Sequence, residues 1–333
     1  MPFRLAAGSA RQDGPLVLID LSDSGDWTGS ALDELDALAC ERAVVGISQH
    51  PLTAAAVPVL ERLAFTVAPV GPGRTWVPPE LIDLDALAGA VSEAPEASRT
   101  LLDVLRQVDE RSPEAGVAEE SLAYSALLDG SEFLTWRHRT PAGPTMADSD
   151  DDVLVRRTGA TLSIVLNRPS RHNAFGRNVR DRLVDALAIA ELDPSIDQVV
   201  LSGNGPSFCS GGDLDEFGTA PDPATAHRVR IDQSAGLAVH RLAERLGVRM
   251  RVRLHGACIG AGIEVPAFAG HLEAATDAYF VLPELAMGLI PGAGGTVSVS
   301  RRIGRWRTAY LALSGARIDV GTAHAWGLVD AVG

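Results

Sequence analysis

Glu264 stands at the end of a run of small residues, in HGACIGAGIEVPAFAG (255–270), with Ile263, Val265, Pro266 and Phe268 around it. A carboxylate in apolar company is costly unless it is paired, hydrogen-bonded or protonated. A second acid, Glu284, sits in LPELAMG (282–288). Two stretches of bare backbone accompany them: Gly211-Gly212 in FCSGGDL (208–214), and Gly260-Ala261 in CIGAG (258–262). Glycine permits dihedrals that other residues avoid and lets a backbone come close to a ligand. Two bare N–H groups converging on one point form an oxyanion hole, which stabilises negative charge on a thioester carbonyl oxygen. A pair of acids beside it could move protons at the α and β carbons of an acyl thioester. A third Gly-rich stretch, GLIPGAGGT (288–296), follows. Taken singly, each piece fits tight packing equally well, with Glu264 reaching solvent.

The elements that must position these residues belong to a globular chain of 333 residues, 46% hydrophobic and 22% charged, enough for one large domain or two ordinary ones. The net charge of −14 argues against a nucleic-acid partner, because phosphate binding needs a basic face. The chain has no lysine, so an anionic ligand must be held by arginine, by backbone N–H groups or by a helix N-terminus. A Schiff-base mechanism is excluded for the same reason. Cys40, Cys209 and Cys258 are odd in number and widely spaced, which suits a reducing cytoplasm and small buried filler. The N-terminus lacks the apolar segment of a signal peptide and no apolar run of membrane-spanning length occurs, so a soluble cytoplasmic protein is expected, without a membrane partner.

Three short β-like runs, LVLIDL (16–21), AVVGIS (43–48) and FTVAPV (65–70), alternate with helical stretches, which predicts a small α/β unit over 1–75. Residues 76–137 read as helical, with Leu101, Leu102, Leu105 and Val108 at helical spacing. The Pro-, Gly- and acid-rich stretch 138–152 reads as a linker. From residue 153 to 333 strands alternate with helices, as in an α/β fold with mostly parallel strands.

The ordered set of motifs is more specific than any one of them. LNRPSRHNAF (166–175), FCSGGDL, HGACIGAGIEVPAF, LPELAMGLIPGAGGT (282–296) and ALSGARIDVGTAHAWGLVD (312–330) together resemble the crotonase family, the enoyl-CoA hydratases/isomerases. The resemblance covers about 153–332. It implies an α/β fold with a crotonase-like β/α spiral core, here with an additional N-terminal α/β plus helical region. It also implies a CoA thioester as substrate rather than cofactor, a place in fatty acid metabolism, and assembly as homotrimers or hexamers. On matching positions, Gly212 and Ala261 are the oxyanion donors, and Glu264 and Glu284 the catalytic acids. The substrate-binding positions it implies are Arg171, Asn173, Ala174, Ser210, Gly211, Asp213, Leu214, Gly260 and Gly292, with Arg171 near the CoA phosphates and Gly292 at the substrate's end. No metal is implied.

The retained acid pair favours hydration of a 2-enoyl-CoA, since relatives that only shift a double bond commonly keep just the acid matching Glu284. Two other readings stay open: isomerisation or another thioester reaction such as oxygenation or decarboxylation, and a catalytically weak binding subunit. HGACIGAGIEVPAF is also similar to the cofactor-independent dioxygenase branch. His271 and His255 depart from the family's usual Asp and Asn, and read as structural. The chain stops at Gly333, where relatives continue into helices that cover the pocket. Residues 97–137 resemble that tail, as though displaced by circular permutation, and are expected to pack near the pocket mouth.

Overall fold

The computed structural model describes residues 4–5, 14–22, 27, 29–143 and 149–333. Most of the stretch read for a signal peptide, and the middle of the expected linker, lie outside the described residues. Among the described residues no helix is long and apolar enough to cross a membrane.

The first layer is a five-stranded sheet in the order β1 (Arg4–Leu5), β2 (Leu16–Asp20), β3 (Ala43–Ile47), β4 (Phe65–Val67), β5 (Trp76–Val77). Strands β2 to β5 are parallel, so both faces need cover. Side chains alternate accordingly. Val17, Ile19 and Val44 pack with helices α1 (Gly29–Glu41) and α2 (Val57–Leu60), whereas Leu16, Val45, Phe65 and Val77 face the other way and join the main core. The sheet therefore runs to Val77, past the boundary expected at 75.

β5 leads into a 3-10 turn, Pro79–Leu81, through the sequence TWVPPEL. It parallels YFVLPEL (279–285), which carries Glu284. Glu80 is exposed where Glu284 is buried, so only the second carboxyl is available to an enclosed site.

Four helices follow: α3 (Leu84–Glu93), α4 (Pro95–Gln107), α5 (Pro113–Leu128) and α6 (Ser131–Arg139). Asp83 caps α3 by accepting from the N–H groups of Asp85 and Ala86, and Pro95 and Pro113 occupy first helical positions, where a missing N–H costs nothing. The last helix continues to Arg139, into the stretch read as linker.

The second half holds a six-stranded sheet in the order β14 (Ala331–Val332), β11 (His271–Ala274), β9 (Met250–Leu254), β8 (Gln198–Gly203), β7 (Thr161–Leu166), β6 (Val153–Thr158). Only the β6–β7 hairpin is antiparallel. Register stacks Ile164, Leu201, Val252 and Leu272 in one row, all buried, beneath α7 (Arg177–Leu192) and α9 (Ala235–Leu246). The helix expected over 225–246 is two: α8 (Pro223–Asp232) ends before Ser234, whose hydroxyl accepts from Leu237 N–H and starts α9. A three-stranded sheet, β10 (Ala257–Ile259), β12 (Tyr279–Val281), β13 (Ile318–Asp319), turns away from the first, with α10 (Ala261–Glu264), α11 (Gly295–Ile303), α12 (Arg305–Ser314) and α13 (Val320–Trp326) between and after its strands. This is the turning β/α architecture expected of the core.

The two halves share one hydrophobic core. Helix α12 inserts between them: Trp306 Nε1 donates to Leu60 O at 3.1 Å, the Tyr310 hydroxyl donates to Leu81 O, and the Tyr310 ring meets Phe65 edge-on at 5.6 Å. Cys209 and Cys258 face each other across a strand bridge, both buried. Burial pushes the Cys209 thiol up to about 12, so it is packing, not a nucleophile.

Candidate active site

A cavity of about 400 Å³ lies between α5, α8, α10 and the loops around Gly212 and Gly292. Its chemistry starts where β10 ends. Gly260 has φ +49°, and a Cβ there would come within 2.5 Å of Glu284 Oε1, so only glycine lets α10 begin beside that carboxyl. The backbone N–H groups of Gly212 and Ala261 both border the cavity, and neither finds an acceptor among the described residues. Two unpaired donors on one cavity are what a thioester oxyanion needs.

Glu264 closes the single turn of α10 and is buried. Its Oε2 accepts from Ala293 N–H at 2.8 Å and Gly295 N–H at 2.9 Å. A Cβ at Gly295 would stand 2.6 Å from Glu264 Cγ, so the loop closes on the acid only because that position is bare. Burial raises the Glu264 carboxyl to about 7, against the backbone N–H groups of Ala293, Gly295 and Gly292 that pull it down. Glu284 opens the 3-10 turn Glu284–Met287, also buried, and its Oε2 has no hydrogen-bond partner. Burial, reinforced by the charge of Glu264, holds it well above the ordinary carboxylate range. An orphaned acceptor in a cavity is an invitation to a proton, a water or a substrate atom.

A third carboxyl was not legible as part of the site. Glu120, from the middle of α5, is 1% exposed and lines the same cavity. It accepts from Gly294 N–H at 2.7 Å, Thr296 N–H at 2.8 Å and the Thr296 hydroxyl at 2.7 Å. Burial, then the nearby Glu264 charge, raises it to about 8. Tyr124, one turn on, lies against Gly292, and Arg230 of α8 lies over the Tyr124 ring at 4.5 Å. None of these three belongs to a sequence motif. In AGVAEESLAY, Glu120 looks like one more solvated helix charge, and only the Gly116–Glu120–Tyr124 spacing along one helix face hints otherwise. The described residues contain no group of three or more His, Cys, Asp or Glu arranged to hold a metal ion.

Of the expected site residues, Glu264, Glu284, Gly212, Ala261, Asp213 and Gly292 border the cavity together. Gly211 and Gly260 directly precede Gly212 and Ala261, Ser210 lies one residue further back, Ala174 precedes the cavity-lining Phe175, and Leu214 is exposed next to Asp213. Asn173 does not border the cavity, and its side chain braces the loops: Nδ2 donates to Asn204 O, Ser207 O and Phe208 O, and Oδ1 accepts from Arg168 N–H. Arg171 does not border the cavity: its guanidinium is engaged by Asp213 at 2.9 Å and Asp215 at 2.7 Å. His255 Nε2 meets Gly205 O at 2.9 Å and His271 lies 3.9 Å from Asp330, both away from the acids.

Known proteins carry the same frame. The profile of the family described as enoyl-CoA hydratase/isomerase matches residues 156–333. The 2,3-dehydroadipyl-CoA hydratase of Escherichia coli is 32% identical over 54% of this chain and 69% of its own length. The 1,2-epoxyphenylacetyl-CoA isomerase of the same organism is 33% identical over 50% of this chain and 64% of its own, so the match spans just under two thirds of that relative. Among solved structures, a Mycobacterium abscessus protein assigned as an enoyl-CoA hydratase/isomerase superposes with a TM-score of 0.50 at 34% identity, over 54% of this chain and 70% of that one.

Proposed function

The chain belongs to the enoyl-CoA hydratase/isomerase family, and on that premise we propose that it adds water across the double bond of a 2-enoyl-CoA. The observation that carries this reading is the pair of buried carboxyls, Glu264 and Glu284, on one cavity with the unpaired N–H groups of Gly212 and Ala261. In the proposed reaction the thioester oxygen accepts from both N–H groups, which draws electron density from the β carbon. Glu264, poised near neutrality and oriented by Ala293 and Gly295, takes a proton from water as the oxygen bonds to the β carbon. Glu284, whose carboxyl burial holds well above the ordinary range, is the acid that delivers a proton to the α carbon. Water's oxygen and two protons are thereby accounted for: one proton ends on Glu264, one leaves Glu284, and transfer between the acids resets the site.

Helices α3 to α6 are read as the cover that relatives build from a C-terminal tail, since α5 supplies Glu120 and Tyr124 to the cavity wall. Assembly into trimers or hexamers rests on family likeness and is measured by light scattering.

The test is a panel of 2-enoyl-CoA thioesters, following loss of the conjugated absorbance together with oxygen uptake. Loss without oxygen uptake supports hydration. Oxygen consumption points instead to the dioxygenase reading, and a migrated double bond without added water to isomerisation.

A further inference from the structure

Arg230 is a cation without a counter-ion. It projects from α8 onto the cavity and is half-buried. Its Nε donates to Ser121 Oγ at 3.2 Å, and its Nη2 donates to Ser121 O at 3.4 Å and to Ser125 Oγ. The Tyr124 ring lies beneath it. Every partner is neutral, every one comes from α5, and Nη1 has none among the described residues. The other arginine of this wall with a polar partner, Arg180, is paired with Asp181 at 2.7 Å. Glu120 is near enough to influence Arg230, yet its oxygens are committed to Gly294 and Thr296, and its raised carboxyl supplies little negative charge at neutral pH.

A guanidinium withdrawn from water and left unpaired is costly, and burial accordingly lowers its pKa. A site that keeps one open gains when an anion arrives. The position says which anion. Tyr124 touches Gly292 on one side and Arg230 on the other, and Arg230 borders the same cavity as the two acids, on a wall where Val117, Leu128 and Val229 are apolar. An acyl chain lying along that wall from the oxyanion donors would bring its far end to the free Nη1 of the guanidinium.

We propose that Arg230 is a specificity-determining residue that receives an anionic group, a carboxylate, at the far end of the substrate's acyl chain, so that this site takes dicarboxylic mono-CoA thioesters. This rests on the acyl-CoA reading above. Nε and Nη2 are taken by Ser121 and Ser125, so it is the free Nη1 that would donate to a carboxylate oxygen in a charge-assisted hydrogen bond.

The test uses binding, so that it does not depend on turnover. The full chain is titrated calorimetrically with saturated thioesters matched in length: succinyl-, glutaryl- and adipyl-CoA against butyryl-, pentanoyl- and hexanoyl-CoA, and with free CoA. The expected result is that at least one ω-carboxyl thioester binds about 10-fold or more tighter than its neutral partner, the size of a charge-assisted hydrogen bond. Arg230→Gln should abolish that preference while leaving free CoA unchanged. Arg230→Met, which keeps the apolar stem over Tyr124, replaces it if the Gln variant does not fold. Equal affinity for both members of every pair in the unmodified protein overturns the proposal. So does a variant that weakens free CoA and all thioesters alike, which would assign Arg230 to a CoA phosphate, and so does a preference that survives the substitution. Preferential binding with no turnover of any enoyl-CoA would sink the hydratase reading alone.

Discussion

Glu120 and Glu264 divide the backbone of one loop between them. In the stretch 293–296, alternate N–H groups point to alternate acids: Ala293 and Gly295 donate to Glu264, Gly294 and Thr296 to Glu120. One acid comes from the Gly-rich motif of the second half and the other from a helix of the first. The loop's geometry, and with it the orientation of Glu264, is therefore set from both halves of the chain.

Glu120 is accordingly a positioning residue. Glu120→Ala leaves two buried N–H groups and a hydroxyl without an acceptor, at a cost of about 1–3 kcal/mol for each unsatisfied group before relaxation. Glu120→Gln keeps the shape but presents an NH2 group where an acceptor is needed. Both variants should unfold at lower urea concentration, and in both the pH profile of turnover should move, because Glu264 loses its fixed donors. A profile unchanged in position would show that Glu120 only holds the fold together.

The acid cluster gives stability an unusual pH dependence. Glu264 at about 7 and Glu120 at about 8 lie above the unfolded carboxyl value of 4.5, so the folded chain binds more protons than the unfolded chain in between. Their contribution is fully present below pH 4.5 and is lost as pH rises through 7 and 8. Ordinary paired carboxylates such as Asp193 and Asp222 work the other way and have already given their full contribution by then. Urea midpoints should fall between pH 5 and pH 8.5, and fall less in Glu120→Gln. A rise over that interval, or equal falls in both proteins, contradicts the assignment.

Glu264→Gln and Glu284→Gln should each reduce turnover of a good enoyl-CoA by about 10²–10⁴-fold while CoA still binds. Gln at 264 keeps a carbonyl oxygen for the N–H groups of Ala293 and Gly295, which both donate to one carboxyl oxygen, so the fold should be retained. Gln at 284 replaces an unpartnered buried carboxyl and should stabilise the chain at pH 8. Near-normal rates in both variants would remove the hydratase assignment.

A chain truncated to begin at Ser149 loses α3 to α6, and with them the wall that carries Glu120, Tyr124 and Val117. It also uncovers Val297, which packs at Gly116, and Tyr310, which packs on Phe65, both buried in the intact protein. Such a surface favours association. The truncated chain is expected to aggregate or to lose activity, read by light scattering and the enoyl assay. A soluble, fully active product would make the N-terminal half a mere appendage.

What the sequence determined by itself was local. Gly260, bare beside a carboxyl, and the motif order that placed Glu264 and Glu284 in one site depend on residue type and short spacing, which a linear reading sees. The alternation of strands with helices after residue 153 likewise marks the α/β layering. The partners of Asn173 and Arg171 within the fold were not legible, because nothing local tells a side chain that binds a ligand from one that binds its own fold. Asn173 was claimed by three carbonyls, and Arg171 by two aspartates. Glu120, Tyr124 and Arg230 were invisible for the converse reason. Each sits on an ordinary helix, and its partner lies on a distant segment that only tertiary packing brings near. A glutamate on an amphipathic helix belongs to solvent until something covers that face. Here the Gly292–Thr296 loop covers it, and burial, which no motif encodes, turns a solvated charge into the third acid of the site.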